Sequence, residues 1–225
     1  MCYAYQDRSE AGLMLASRIQ SAGFRPNTVV LGLPRGGVEV GVTVAETLGL
    51  PFDVFLVRKL GVPGHEELAM GAIASGGQIL RNMEVISAAG ISDDAFEEVC
   101  RDEARELERR QTAYRGARPP LHLEGRDALI VDDGLATGAT MRVAVAAIRK
   151  LGPVRVLVAA PITSRSAYKA LNREADACIF DQIPEPFRTV GLWYERFPQI
   201  SDRRVQRLLA RSIGPERLPN GCGGP

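Results

Sequence analysis

The sequence predicts an α/β chain built as an open, mainly parallel twisted sheet flanked by helices. Three observations carry that expectation. Apolar runs of strand length recur at 28–33, 52–57, 128–131, 154–160 and 175–180, each too continuously apolar to keep one face in water. Stretches with helical spacing, at 38–48, 139–151 and 164–171, separate several of them, and strand, helix, strand alternation covers a parallel sheet on both faces. Two glycine-bearing turns, at 33–37 and 132–140, each follow an apolar run and open a helical stretch. Open parallel sheets bind their ligands at such strand ends.

The first run ends in Leu33-Pro34-Arg35-Gly36-Gly37 and leads into the helical stretch 38–48, and the second ends at Arg58-Lys59. Residues 60–70 are glycine- and proline-rich and poor in regular pattern, so a loop is expected there. From Ser92 to Gly116, Phe96, Val99, Cys100, Ala104, Leu107 and Tyr114 recur every three or four residues, which predicts a long amphipathic helix. Its acidic opening (Asp93, Asp94, Glu97, Glu98) and basic close (Arg109, Arg110, Arg115) complement the helix dipole. Glu97 with Arg101 and Glu106 with Arg110 form i,i+4 pairs. The apolar stripe fits either the sheet or a second subunit. Later, Thr163 or Ser164 stands where a side chain caps the helix over 164–171. After Ser212 the chain ends Leu-Pro-Asn-Gly-Cys-Gly-Gly-Pro, with nothing to pack, and residues 213–225 are expected to be a disordered tail.

Twenty-eight Lys and Arg against 27 Asp and Glu leave a formal charge of +1 on 225 residues, so no long-range field draws the chain to nucleic acid or an anionic bilayer. Its 45% hydrophobic content supports a large core. Cys2, Cys100, Cys178 and Cys222 form no C-x-x-C pair, and only His65 and His122 accompany them, so reduced thiols are expected rather than a zinc cage. The start lacks a basic segment followed by an apolar core, and no apolar stretch reaches about 18 residues, so a cytoplasmic location is expected.

The most informative segment runs from Ala128 through Asp132-Asp133-Gly134-Leu135-Ala136-Thr137-Gly138-Ala139-Thr140 into a helical stretch. A helix N-terminus presents unpaired amides, and small residues at Ala136, Gly138 and Ala139 let a phosphate reach them, while Thr137 and Thr140 add hydroxyl donors. No Lys follows the second glycine, so this is not the loop of nucleoside triphosphatases, and the spacing G-x-G-x-x-G is also missing. Paired carboxylates would repel a phosphate but suit the neighbouring hydroxyls of a sugar. The expected ligand is a phosphorylated sugar.

Residues 130–140 resemble, at every defined position, the phosphoribosyl pyrophosphate (PRPP) motif of the type I phosphoribosyltransferases: two apolar residues, two acids, a small residue, then Thr-Gly-x-Thr. The resemblance implies that Asp132 and Asp133 hold the ribose 2- and 3-hydroxyls, while Ala136, Thr137, Gly138, Ala139 and Thr140 hold the 5-phosphate. It assigns the pyrophosphate to Arg35, Gly36 and Gly37, and it brings Arg58 and Lys59 to the same edge, so that three cations converge there. Residues 60–70 stand where the family has a mobile catalytic loop that closes over substrate, with His65, Glu66 or Glu67 available as acid or base and Glu67 singled out. The segment 183–194 is similar to the part of hypoxanthine-guanine enzymes that caps the base, which makes Phe187 the base-stacking residue. Core packing is the other reading of Phe187, Trp193 and Tyr194. Ala136 departs from the acid those enzymes carry in the motif, and an alanine there is the adenine and uracil pattern.

The chemistry so implied is displacement of pyrophosphate from PRPP by a nucleobase-like or other nitrogen acceptor. Magnesium would be held through PRPP rather than by a protein cage, with Asp132 and Asp133 the side chains placed to share it. The two acids would act near a developing oxocarbenium ion and not as covalent nucleophiles. A homodimer is expected, with residues 1–212 a single domain in which 82–118 is a helical insertion and 183–212 a hood-like C-terminal cap and helix. The rival from another class is a non-catalytic regulator that senses PRPP. The basic run Arg203, Arg204, Arg207 and Arg211 is the feature that would serve it.

Overall fold

A computed structural model describes residues 4–116, 118 and 120–212. The tail at 213–225, Cys2 and Cys222 lie outside the described residues. The main sheet has five parallel strands: β1 (Thr28–Gly32), β2 (Phe52–Val54), β6 (Asp127–Val131), β7 (Arg155–Ile162) and β8 (Ala177–Gln182), in the order β2-β1-β6-β7-β8. A second, antiparallel sheet holds β3 (Val57–Val62), β4 (His65–Ala74) and β5 (Gln78–Arg81).

Period-two alternation divides the central strands between two cores. Val30, Leu129, Val131, Leu157 and Ala159 face one core with Leu15 and Ile19 of α1 (Arg8–Ala22) and Val38 and Val42 of α2 (Gly36–Leu48). Val29, Leu31, Ala128, Ile130, Val156 and Val158 face the other with Met141, Ala144, Val145 and Ile148 of α5 (Ala139–Arg149) and Ala167 and Leu171 of α6 (Arg165–Leu171). Ser164 caps α6, its hydroxyl accepting from Ala167 N at 3.0 Å. Both faces of the sheet are covered, which is why its strands read as continuous apolar runs.

The structure corrects two expectations. The second run does not form one strand: β2 stops at Val54, and the chain crosses to β3 of the antiparallel sheet. The crossing is fixed by Phe55 N donating to Gly32 O at 3.1 Å and Leu56 N to Ser75 Oγ at 3.0 Å. Residues 60–70 are not an irregular loop but the β3–β4 hairpin, whose strands pair from Val57↔Ala74 to Val62↔His65. Its tip is Pro63-Gly64, with Gly64 at φ +76°. Proline at the first central position and a left-handed glycine at the second make a tight reversal. The glycine and proline content marked a turn, and the sequence hid the strands on either side of it.

The long helix forms as expected. α4 (Asp93–Arg115) is capped by Ser92, whose hydroxyl accepts from Ala95 N, and Phe96, Cys100, Leu107 and Tyr114 are buried. Its apolar stripe packs within the chain, against β3, β4 and α7 (Asp202–Arg211). The helix end is anchored by Arg115 Nη2 donating to the fully buried Asp53 Oδ2 at 2.8 Å and by Tyr114 OH donating to Asp202 Oδ1 at 2.7 Å. Two helices went unforeseen: α1, and the short α3 (Met83–Ala88). Asp7 caps α1 by accepting from Ser9 N and Glu10 N.

Candidate active site

The register of the central strands decides where the acids lie. Gly32 pairs with Val131, and Leu33 N donates to Val131 O at 2.9 Å, so β1 and β6 end level. The chain leaves β1 through Pro34-Arg35, a cis peptide, into α2, and it leaves β6 through Asp132-Asp133. The two exits touch. A Cβ on Gly36 would fall 1.8 Å from Asp133 Oδ2, and one on Gly37 would fall 2.5 Å from Val131 O. Only residues without a side chain let α2 begin this close to the acid pair.

Asp133 is engaged through three of its groups. Its Oδ2 accepts from Arg8 Nε at 2.8 Å, its carbonyl accepts from Tyr194 OH at 2.5 Å, and its amide donates to Asp132 Oδ1 at 2.9 Å. Arg8 also donates through Nη1 to Pro198 O at 2.8 Å and lies 3.7 Å from the ring centre of Phe197. Tyr194 packs on Tyr5 and Phe197, with ring centres 5.4 and 4.8 Å away. The first helix, which packs beside α2, and the C-terminal segment therefore converge on the acids. Sequence reasoning missed Arg8. The available signal was a cation in the first turn of α1, where the helix dipole disfavours it, but nothing local connects it to an acid 125 positions away.

Burial raises the pKa of both acids. Asp132 is pushed well above the usual carboxylate range by desolvation and then by the neighbouring charge of Asp133. Asp133 is also raised by burial, with Arg8 opposing that shift. Tyr194 is raised by burial and by the Asp133 charge, so it remains a donor. The pair resists carrying two charges at once, and its carboxyl oxygens suit a ligand with hydroxyl donors.

The turn from Gly134 to Thr140 is pinned at its flanks and open in its middle. Leu135 N donates to Ile162 O, Ser164 N to Leu135 O, and Ser164 Oγ to Ala136 O at 2.6 Å. Ala136, Thr137, Ala139 and Thr140 are exposed, while Gly138 is buried at φ +72° with its Cα side against Ala167. Arg142 N bonding to Gly138 O begins the helix ladder, so the amides of Thr140 and Met141 have no carbonyl to meet within α5. Ala139 N is met by Thr137 Oγ1 at 3.3 Å.

The expected convergence of three cations is corrected. Arg35 lies at the start of α2, with Nη1 3.7 Å from Asp202 Oδ1. Arg58 and Lys59 do not end a strand of the main sheet. They sit inside β3 and line a cavity of about 840 Å³ between the hairpin and α4, together with Glu66, Glu98, Asp102 and Glu103, and none of residues 132–140 lines it. Arg58 Nε donates to Glu103 Oε2 at 2.5 Å. The antiparallel sheet carries this pair away from the acids. Glu67 lies on β4, and its side chain is outside the described residues; the neighbouring His65 and Glu66 are exposed. Phe187 is half-buried against the cluster of Tyr5, Ala11, Ile162 and Tyr194.

Residues 9–190 match the family model described as phosphoribosyl transferase domain. Two curated proteins of Mycobacterium tuberculosis, one from each of two strains and both provisionally named phosphoribosyl transferases, are 40% identical over 208 residues, covering 92% of this chain and 47% of theirs. The chain thus spans about half the length of the curated relatives it matches. The crystal structure of TT1426 from Thermus thermophilus superposes with a TM-score of 0.83 at 38% identity, covering 93% of this chain and 99% of that one. The family match takes in both glycine turns, the acid pair and α5, and with the five-stranded parallel sheet it establishes that the chain belongs to the phosphoribosyl transferase family.

Proposed function

We propose that the chain transfers the 5-phosphoribosyl group of PRPP to a nitrogen acceptor, a nucleobase or similar amine, with release of pyrophosphate. The observation that carries this is the meeting of three parts at one sheet edge. They are the desolvated acid pair, the open turn at the start of α5, and the side-chain-free start of α2 against the acids. The phosphate binds the amides and hydroxyls of Thr137 to Thr140, the ribose hydroxyls donate to Asp132 and Asp133, and the diphosphate lies toward Arg35, Gly36 and Gly37.

In the reaction the acceptor nitrogen bonds to the anomeric carbon as the bond to the pyrophosphate oxygen breaks, and the acceptor proton leaves to a base, for which Glu67 is proposed. The acids stabilise positive charge on the ring without forming a bond to it. Phe187, half-buried at the edge of the Tyr5 and Tyr194 cluster, is proposed to stack on the acceptor. Among the described residues no group of three or more His, Cys, Asp or Glu could hold a metal. Magnesium dehydrates reluctantly and is commonly held through one or two carboxylates plus substrate phosphates. Asp132 and Asp133 are the carboxylates placed to share it. Once bound, the ion neutralises charge on the departing pyrophosphate.

The regulator reading loses its main support, because two of the four arginines on α7 are engaged by α2: Arg204 with Glu39 and Arg211 with Glu46. The test is incubation with PRPP, magnesium and a panel of purines, pyrimidines and small amines while pyrophosphate is measured. Asp133→Asn is expected to stay folded and to lose most of the release. Unchanged release in that variant defeats the assignment, and binding of PRPP with no product from any acceptor returns the weight to a sensor.

A further inference from the structure

We propose that Arg8 is a positioning residue that aims Asp133 at the ribose, an inference resting on the acid pair being the ribose site. Arg8 occupies a place that is unfavourable on two counts. It is the first residue of α1, where the helix dipole opposes a cation, and it is only 5% exposed, so its guanidinium has lost most of its water. Its contacts offset both. The fork meets Asp133 Oδ2 and Pro198 O while its plane rests over Phe197, which fixes the guanidinium by two hydrogen bonds and a ring.

The effect falls on one oxygen of one carboxylate. Asp133 Oδ2 is held by Arg8, and the carboxyl as a whole lies against Gly36, where a Cβ would fall 1.8 Å from Oδ2 and 3.0 Å from Oδ1. Asp133 also shares a side-chain hydrogen bond with Asp132, and Oδ1 is the oxygen that the Arg8 bond leaves to accept from a sugar hydroxyl. Rotation of the carboxylate would break the Arg8 bond or move an oxygen into α2. Arg8 therefore fixes the plane in which the carboxylate presents its second oxygen to the ligand. A plain staple for α1 would need only Pro198 and Phe197.

The test uses ribose 5-phosphate and inorganic phosphate as probes, with affinities measured calorimetrically on the full chain, so the unknown acceptor plays no part. Arg8→Met is expected to weaken ribose 5-phosphate at least tenfold while leaving inorganic phosphate unchanged, and Arg8→Lys is expected to recover part of the loss. In an Asp133→Asn background, replacing Arg8 should add no further loss, because a residue acting only through Asp133 has nothing left to aim. That double variant also avoids an unpaired buried charge, and Arg8→Lys measured in both backgrounds serves if Arg8→Met does not fold. Losses that add, or that fall equally on inorganic phosphate, overturn the proposal and leave Arg8 a structural staple. If the unaltered chain binds inorganic phosphate but not ribose 5-phosphate, the ribose reading itself fails, and the inference fails with it. That outcome is visible before any variant is made.

Discussion

A β-carbon on Gly36 would fall 1.8 Å from Oδ2 of Asp133, so the helix after the first strand and the acid after the third strand of the sequence pattern exclude each other's side chains. This single contact explains why a glycine opens α2, and it makes Gly36→Ala informative. The methyl group must displace either the carboxylate or the helix start. Overpacking of this kind typically costs about 1–3 kcal/mol. The expected outcome is a lower urea midpoint together with loss of PRPP binding; retention of wild-type PRPP affinity would show that Asp133 is free to turn.

The electrostatics of the acid pair predict a gain in stability from a change that removes function. Asp132 has a folded-state pKa raised by burial and by Asp133. A carboxyl raised on folding binds more protons folded than unfolded, so stability falls as pH rises from the ordinary carboxylate range, about 3.9, toward the raised value. Asp132→Asn removes that dependence and keeps an oxygen for the amide of Asp133. It should raise stability above the ordinary carboxylate range and flatten the fall of the melting temperature with rising pH, while ribose 5-phosphate binding is lost. A variant that tracks the parent at every pH would show that the acid is not buried at a cost.

The anchor of α4 separates stability from chemistry. Asp53 is fully buried, and Arg115 meets it at 2.8 Å, far along the chain from either glycine turn. Arg115→Met removes the nearer of two cations from buried Asp53, leaving Arg118 Nη1 3.8 Å from Oδ1, so the loss is expected to fall below about 3–5 kcal/mol, the usual cost of leaving a buried charge unpaired. Urea unfolding should show it, with ribose 5-phosphate affinity unchanged wherever the protein is folded. Loss of affinity in the folded variant would mean that α4 reaches the site through the antiparallel sheet.

Local pattern was enough to determine the covered parallel sheet, the 92–116 helix with its Ser92 cap, and the acid pair followed by a glycine-bearing turn into a helix. Each of these is written in the spacing of residues that are neighbours along the chain. Strands buried on both faces are apolar at every position, a half-buried helix is apolar every three or four, and a turn that bares amides must be small and glycine-bearing. Where local pattern was ambiguous, the sequence misled: Arg58 and Lys59 follow an apolar run just as Arg35 does, yet Leu56 bonds to Ser75 and the chain turns off into a second sheet. Tertiary structure alone decided that Arg8, Tyr194 and Gly36 surround Asp133. Those residues approach one carboxylate from different elements, and the level ends of β1 and β6 make them neighbours. No spacing along the chain encodes a contact between positions that meet only after the sheet has set its register.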